Sequence, residues 1–460
     1  MKIVVLNGSP KGETSVTMQY VAFIQKRYLE HEFKIFNIAQ QIRKLESDEQ
    51  AFKEIIEDIR SANGILWAFP LYILLIHAQY KRFIELITER AAEAAFKGKH
   101  TAILTTSIHF YDHTAHNYMH GICDDLNMKL YASYSAGMQD LFNEQERKKL
   151  LQYSQGFFDA IDRDAPASRV YSPLIRQTSE YTPGTDQVSF DNHGRKVVIV
   201  TDAEEQQINL TRMIGKIAAH FAGQVEVINL HNVNIKGGCL GCLHCGYDNT
   251  CIYNEQDGFT DFYNSQLKTA DILVFAGAIR DRYLSSLWKN FFDRGFFNTH
   301  IPSFAGKQIA FVISGPLRQL PNLRQIIEAY TEWQQANLVG IVTDEADDSY
   351  EIDLSLQELA RRSVDYANRK YIKPATFLGI GGTKLFRDEI WGPMRFPFAA
   401  DHRFYKSHGT YDFPHKDYFT RIRNVLFSLL IKIPVVRKEI YGKLMITKMV
   451  EPYKKLLAKL

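Results

Sequence analysis

Four of the chain's five cysteines fall within 13 residues, as Cys239-x2-Cys242-x2-Cys245-x5-Cys251. Thiolates at such spacing hold metal in a reducing environment. Zinc sites usually draw two Cys-x2-Cys hooks from well-separated segments around a small tetrahedron. A Cys-x2-Cys-x2-Cys hook with a fourth thiolate further on suits a larger cubane, as in ferredoxin-type runs. The spacing therefore reads first as a 4Fe-4S site, with zinc and free redox thiols as alternatives. Gly237, Gly238, Gly241 and Gly246 would let the loop wrap and aim amides at sulfur. His244 reads as a neighbour or a solvent-facing residue, and the lone Cys123 as a buried helical residue.

A second constellation is Asn7-Gly8-Ser9-Pro10-Lys11-Gly12-Glu13-Thr14-Ser15, directly after an apolar strand. Backbone amides at a helix N-terminus favour an anion there. Gly8 and Gly12 allow close approach, Ser9, Thr14 and Ser15 offer hydroxyls, and Lys11 offers charge. The loop matches neither the Walker pattern nor Gly-x-Gly-x-x-Gly. A plain polar turn capped by Thr14 or Ser15 is the alternative. Two later loops favour a ligand: Phe69-Pro70-Leu71-Tyr72, and residues 105–109 with Thr106 and Ser107. A phosphate cradle, an aromatic-bearing loop and a polar loop at one sheet edge suit a flat heteroaromatic phosphate. Tyr72 would stack, and Thr106 and Ser107 would bond the ring's polar edge. His109 and His113, beside Tyr111 and Asp112, are candidates for proton donation or substrate contact. Ordinary loop polarity also explains them.

These loops need a parallel sheet to place them. Apolar strands at residues 2–6, 33–38, 64–69 and 100–105 alternate with helical patterns at 14–29, 50–60 and 78–90. That alternation predicts an α/β, doubly wound parallel sheet. The pattern then recurs: Lys196-Val-Val-Ile-Val-Thr201 echoes Lys2-Ile-Val-Val-Leu-Asn7, and residues 62–107 align without a gap on 270–315. The chain thus reads as a tandem duplication. Asn229 to Lys289 spans 60 positions against 44 for Asn37 to Lys81, and the cysteines lie in the 16 extra residues. The first copy has the Gly-Ser-Pro loop; the second has Thr201-Asp-Ala-Glu-Glu in its place. Asp281-Arg282-Tyr283 reads as a helix start capped by Asp281, or else as a remodelled pocket or interface.

The motif Asn-Gly-Ser-Pro-Lys-Gly-x-Thr-Ser, followed by Phe-Pro-x-Tyr and a Tyr-Lys-x-Phe helix, resembles the NADPH-dependent FMN reductase group of flavodoxin-like proteins. The cysteine segment before an Ala-Asp-Ile strand resembles that group's iron-sulfur flavoprotein branch. The resemblance covers about residues 1–160 and 195–342. It implies two tandem flavodoxin-like domains, FMN on the first, a 4Fe-4S cluster on the second, and NAD(P)H as a transient donor. Cradle and cysteines normally share one domain in this family, and here they are split between copies. The two repeats are therefore expected to form an internal pseudo-dimer that brings cluster toward flavin. The expected activity is that of an NAD(P)H-dependent, FMN-containing oxidoreductase. The alternatives are an electron carrier without a substrate of its own, and a zinc-stabilised structural protein with degenerate flavodoxin folds.

The domain layout expected is 1–163 for FMN, 164–195 as linker, 196–369 with the four-cysteine cluster, and 370–460 as a largely helical extension. Gly379-Ile-Gly-Gly382 is expected to mark a turn in that extension, and residues 344–353 an acidic loop. A net charge of +3 argues against a nucleic-acid partner. Residues 401–460 nevertheless hold 13 Lys/Arg against 5 Asp/Glu, while the remaining 400 hold 42 against 47. Residues 417–460 carry Ile422, Val425, Leu426, Leu429 and Leu430 at helical spacing among many basic residues, Lys443 and Lys448 included. This reads first as a helix packed on the second domain with a solvated basic face. A membrane-surface helix or a dock for an acidic partner such as ferredoxin are the alternatives. No signal-peptide pattern or membrane span is read, so a cytoplasmic protein is expected, as is a homo-oligomer.

Overall fold

The structure is a computed structural model describing residues 1–176, 179–186, 188–412 and 418–459, without the side chains of 442, 443 and 446–449. The readings that fall on Asp417 and Leu460, and on the Lys443 and Lys448 side chains, lie outside the described residues. In the first repeat the strands are β1 (Lys2–Asn7), β2 (Glu32–Phe36), β3 (Gly64–Pro70), β4 (His100–Ser107) and β5 (Lys129–Gly137), ordered β2-β1-β3-β4-β5. All of its pairings are parallel. The second repeat holds β6 (Val197–Thr201), β7 (Val225–Asn229), β8 (Ile272–Arg280), β9 (Tyr283–Leu284), β10 (Gln308–Ser314) and β11 (Asn337–Thr343). Its order is β11-β10-β8-β6-β7, parallel except for β9, which returns antiparallel on β8. The expected α/β tandem, doubly wound, is the fold observed.

Continuous apolar runs form the central strands because helices cover both faces, so Ile3, Val5, Ile65 and Leu104 are fully or almost fully buried. β5 escaped the sequence reading: its residues alternate in exposure along an edge, without an apolar run. A helix at Ile38–Ser47 was also missed; it buries Ile38, Ile42 and Leu45 on one face. Register aligns Asn7 with Ala68, Pro70 with Thr106, and Ser107 with Gly137. The loops after β1, β3, β4 and β5 therefore share one edge.

The repeats pack helix Ala78–Glu89 against helix Ser286–Gly295, and the contacts are reciprocal. Glu85 of the first repeat accepts from the Ser286 backbone N–H at 2.6 Å, at the other helix's N-terminus. Asp293 of the second repeat accepts from the Ala78 N–H at 2.8 Å. Lys81 reaches across to Asp281 at 2.9 Å while pairing with Glu85 at 3.1 Å. Its repeat-mate Lys289 pairs with Asp293 and donates to the Tyr72 carbonyl at 2.9 Å. Each helix start thus receives a carboxylate from its counterpart, as across a two-fold interface. Arg282 adds a bidentate pair to Asp125, both bonds at 2.7 Å.

Three local readings are corrected. Asp281 does not cap a helix: it turns the β8–β9 hairpin at φ 55°, and Ser285 caps the helix by accepting from the Trp288 N–H. The interface reading of that stretch is the one the contacts match. Residues 379–382 are not a turn but lie inside helix Phe377–Trp391. Their glycines answer close packing, since a Cβ on Gly382 would sit 2.8 Å from the Phe110 ring. The acidic stretch 344–353 is helical from Ser349 onward, capped by Asp348. Two units divide the chain, Met1–Arg403 and Phe404–Leu460. In the second, helix Tyr418–Leu430 contains no buried residue.

Candidate functional site

The cradle is built by backbone economy. The Gly8 N–H donates to the Ala68 carbonyl, and Asn7 turns its side-chain oxygen to the Ser9 N–H at 2.9 Å. Ser15 caps helix Val16–Arg27 by accepting from the Met18 N–H. Ser9 and Ser15 are buried. Gly12 adopts φ +57°, the left-handed region that glycine tolerates without strain. The Thr14 hydroxyl, by contrast, is exposed and donates to the Lys11 carbonyl at 2.8 Å.

The β3 loop makes a tight turn. Tyr72 and Leu75 exchange backbone hydrogen bonds, and Ile73 and Leu74 take positive φ. The burial of Leu74, Leu75 and Ile76 holds this uncommon conformation in place. The turn points the Tyr72 hydroxyl at Cys239 Sγ, 2.6 Å away across the repeat boundary. The sequence reading gave Tyr72 a stacking role and missed this contact. Thr106 bonds Thr17 at 2.6 Å, so β4 and the first helix are joined beneath the cradle.

The cysteine loop is anchored by both repeats. Arg294 is almost fully buried, forms a bidentate pair with Asp257, and donates to the Gly237 carbonyl at 2.8 Å. Gln79, from the first repeat, donates to the Cys239 carbonyl at 3.1 Å. Burial pushes the Cys239 thiol up to about 11 and the Cys245 thiol up to about 12. These thiols stay protonated at neutral pH until a metal or another positive charge takes the proton's place. His244 is exposed, and Cys123 is buried in helix Asp112–Asp125.

These pieces meet in one cavity of about 690 Å³, a volume suited to a small-molecule cofactor. Its wall includes Ser9, Lys11, Ser15, Pro70, Leu71, Tyr72, Thr106 and Ser107 from the first repeat. It also includes Cys239, Cys242, Cys245 and Cys251 from the second. A Cβ on Gly241 would lie 3.4 Å from the Lys11 side chain, so cradle and cysteine loop touch. His109 stands on the wall with its Nδ1 2.9 Å from Asp112. Thr14 and His113 are not on the wall. Among the described residues, no group of three or more His, Cys, Asp or Glu side chains converges on a single-ion position.

Of the parts of the wall that sequence reasoning missed, two lie farthest from any motif it used. One is the β5 loop, with Met138 and Asp140, because β5 itself was missed. The other is Phe386, Glu389, Met394 and Phe398, from the segment after the second repeat. That segment aligns with nothing in the repeat, so no internal comparison pointed to it. A Cβ on Gly246 would overlap the Pro397 carbonyl, which shows how closely the cysteine loop lies against it.

The matching loop of the second repeat begins with a buried acid. Asp202 follows β6, is buried, and accepts from the Ser285 hydroxyl and from Trp288 Nε1. Burial raises its carboxyl to about 6. Asp202 stands where the first repeat has Gly8, so a buried carboxyl replaces the small residue at the start of the loop.

No helix among the described residues is long and apolar enough to cross a membrane. No curated protein matches the chain. Among solved structures, an NADH:FMN oxidoreductase (EMOB, apo form) is 16% identical, with 34% of this chain and 87% of that chain covered at a TM-score of 0.30. FerB, the flavoenzyme NAD(P)H:(acceptor) oxidoreductase of Paracoccus denitrificans, is 17% identical over 35% and 97%, at 0.30. An FMN-dependent NADH-azoreductase from Bacillus anthracis, in complex with FMN, is 16% identical over 36% and 99%, at 0.26. The family model of NADPH-dependent FMN reductase matches twice, over residues 1–139 and again over 202–342. The chain therefore belongs to the NADPH-dependent FMN reductase family, as a tandem duplication of its flavodoxin-like fold.

Proposed function

We propose that this NAD(P)H-dependent oxidoreductase holds one FMN and one 4Fe-4S cluster in a single chamber, each on a different repeat. The observation behind the proposal is the common wall of the cavity: cradle residues and all four cysteines line it together. When bound, FMN supplies hydride chemistry and a four-iron cluster single-electron transfer, a pairing that links a nicotinamide to a ferredoxin-type partner.

The residues on the wall offer donors of the type each group takes. Ser9 and Ser15, buried at a helix N-terminus, would hold the phosphate, with Lys11 offsetting its charge. Thr106 and Ser107 would bond the polar edge of the ring, and Pro70, Leu71 and Tyr72 would bound it. Thr14, exposed and off the cavity wall, has no place in this assignment. Cys239, Cys242, Cys245 and Cys251 would supply the four thiolates. The Tyr72 hydroxyl would donate to the Cys239 sulfur, and Arg294 and Gln79 would fix the loop's backbone. Phe110, Trp333, Phe386 and Phe398 give the chamber an aromatic wall that excludes water. His109, exposed at the wall and bonded to Asp112, is placed to exchange a proton with solvent. His113 faces outward and takes no part. Asp202, fixed by Ser285 and Trp288, would repel a second phosphate, which supports one FMN per chain.

Ser15→Asp tests the flavin half. Aspartate caps a helix as well as serine does, so the fold should persist with an unchanged melting temperature. A negative charge placed beside the bound phosphate should lower FMN affinity by at least about 100-fold. Wild type purified without oxygen should carry flavin that NADPH bleaches. An S15D protein that retains flavin at wild-type affinity would overturn the cradle assignment.

A further inference from the structure

We infer that residues 404–460 carry a peripheral binding surface for anionic lipid bilayers. The composition sets the terms: this unit holds 12 Lys/Arg against 4 Asp/Glu, while the rest of the chain is slightly acidic. Helix Tyr418–Leu430 places Ile422, Val425, Leu426 and Leu429 at the i, i+3, i+4, i+7 spacing of one face. These four are 55–62% exposed, which is unusual for a continuous aliphatic stripe. Arg421 and Arg423 flank this stripe, and Asn424 lies across the helix from it.

Helix Met445–Leu457 repeats the design. Tyr453, Leu456 and Leu457 are 60–67% exposed on one side, with Lys454 and Lys455 on the other. Between the helices, Ile433 and Val435 are also more than half exposed. Tyr418, Phe419 and Tyr453 place exposed aromatic rings along these faces, where interfacial aromatics sit in lipid.

A partner recognised by charge alone would need the basic residues but not two apolar stripes. A lipid surface uses both: the stripes enter the acyl boundary while Lys and Arg meet anionic headgroups. Each helix has 13 residues, too short to span a bilayer but ample to lie on one.

Flotation of the full-length protein with vesicles tests this, using phosphatidylcholine alone or with about one third phosphatidylserine. Binding to the anionic vesicles should exceed binding to the neutral ones by at least about tenfold and fall steeply with salt. Lys454→Ala with Lys455→Ala should weaken it roughly 25-fold, at about fivefold per charge. Leu426→Ser with Leu429→Ser should weaken it by a similar factor through the apolar contribution. All four side chains face solvent, so melting temperature should not move in either variant. Absence of vesicle binding, or equal binding to neutral vesicles, would overturn the inference. Retention by polyglutamate without vesicle binding would assign the surface to an acidic protein. Self-association without vesicle binding would assign it to a second copy.

Discussion

Serine in place of Cys245 should leave the protein yellow and take its iron away. On the proposed arrangement, wild type purified anaerobically carries about four irons and four acid-labile sulfides per chain. The C245S variant should fall to less than about one iron, because a cubane that loses a thiolate is displaced or degraded. FMN should stay at wild-type content, since Cys245 belongs to the second repeat and the cradle to the first. The outcome mirrors that of Ser15→Asp, which should empty the flavin site and leave iron in place. Together the two variants separate a divided site from one in which both groups are held by the same residues. Loss of both groups in each variant would mean that the repeats come apart when either is disturbed.

Lys81→Met is expected to cost about 3–5 kcal/mol of stability, the range for breaking a buried ion pair on one side. Lys81 is fully buried. Burial works against its charge, yet Asp281 and Glu85 hold it above the usual lysine range. Without it, Glu85 would keep a buried charge whose remaining partners are chiefly Ser286 and Arg82. Adding Glu85→Gln to the variant should recover part of the loss, because a neutral amide oxygen can still accept from the Ser286 N–H. Urea unfolding of the two proteins measures the difference. An effect below about 1 kcal/mol would place the pair among surface-like contacts and remove it as the clamp between repeats.

The duplication was legible because the strand pattern depends on burial: a strand covered on both faces must be apolar throughout, in either copy. The cysteine hook was legible because its spacing is local. β5 was not legible, since edge strands alternate and their residues resemble a loop. Nor was the aromatic wall from residues 386–398. Those side chains reach the cavity through tertiary packing that no periodicity encodes. The Tyr72–Cys239 bond spans 167 positions and depends on a turn at Ile73 and Leu74 that apolar residues seldom make. The glycines at 379–382 show the opposite hazard, where a residue that signals a turn serves close helix packing instead.

A shared chamber for flavin and cluster is the central claim. Rapid mixing of anaerobic protein with NADPH, with flavin and cluster absorbance followed together, tests it most directly. Both absorbances should fall within a single turnover, and only the flavin should bleach in C245S. Fully loaded protein whose flavin is reduced while its cluster stays oxidised through many turnovers would contradict the shared chamber.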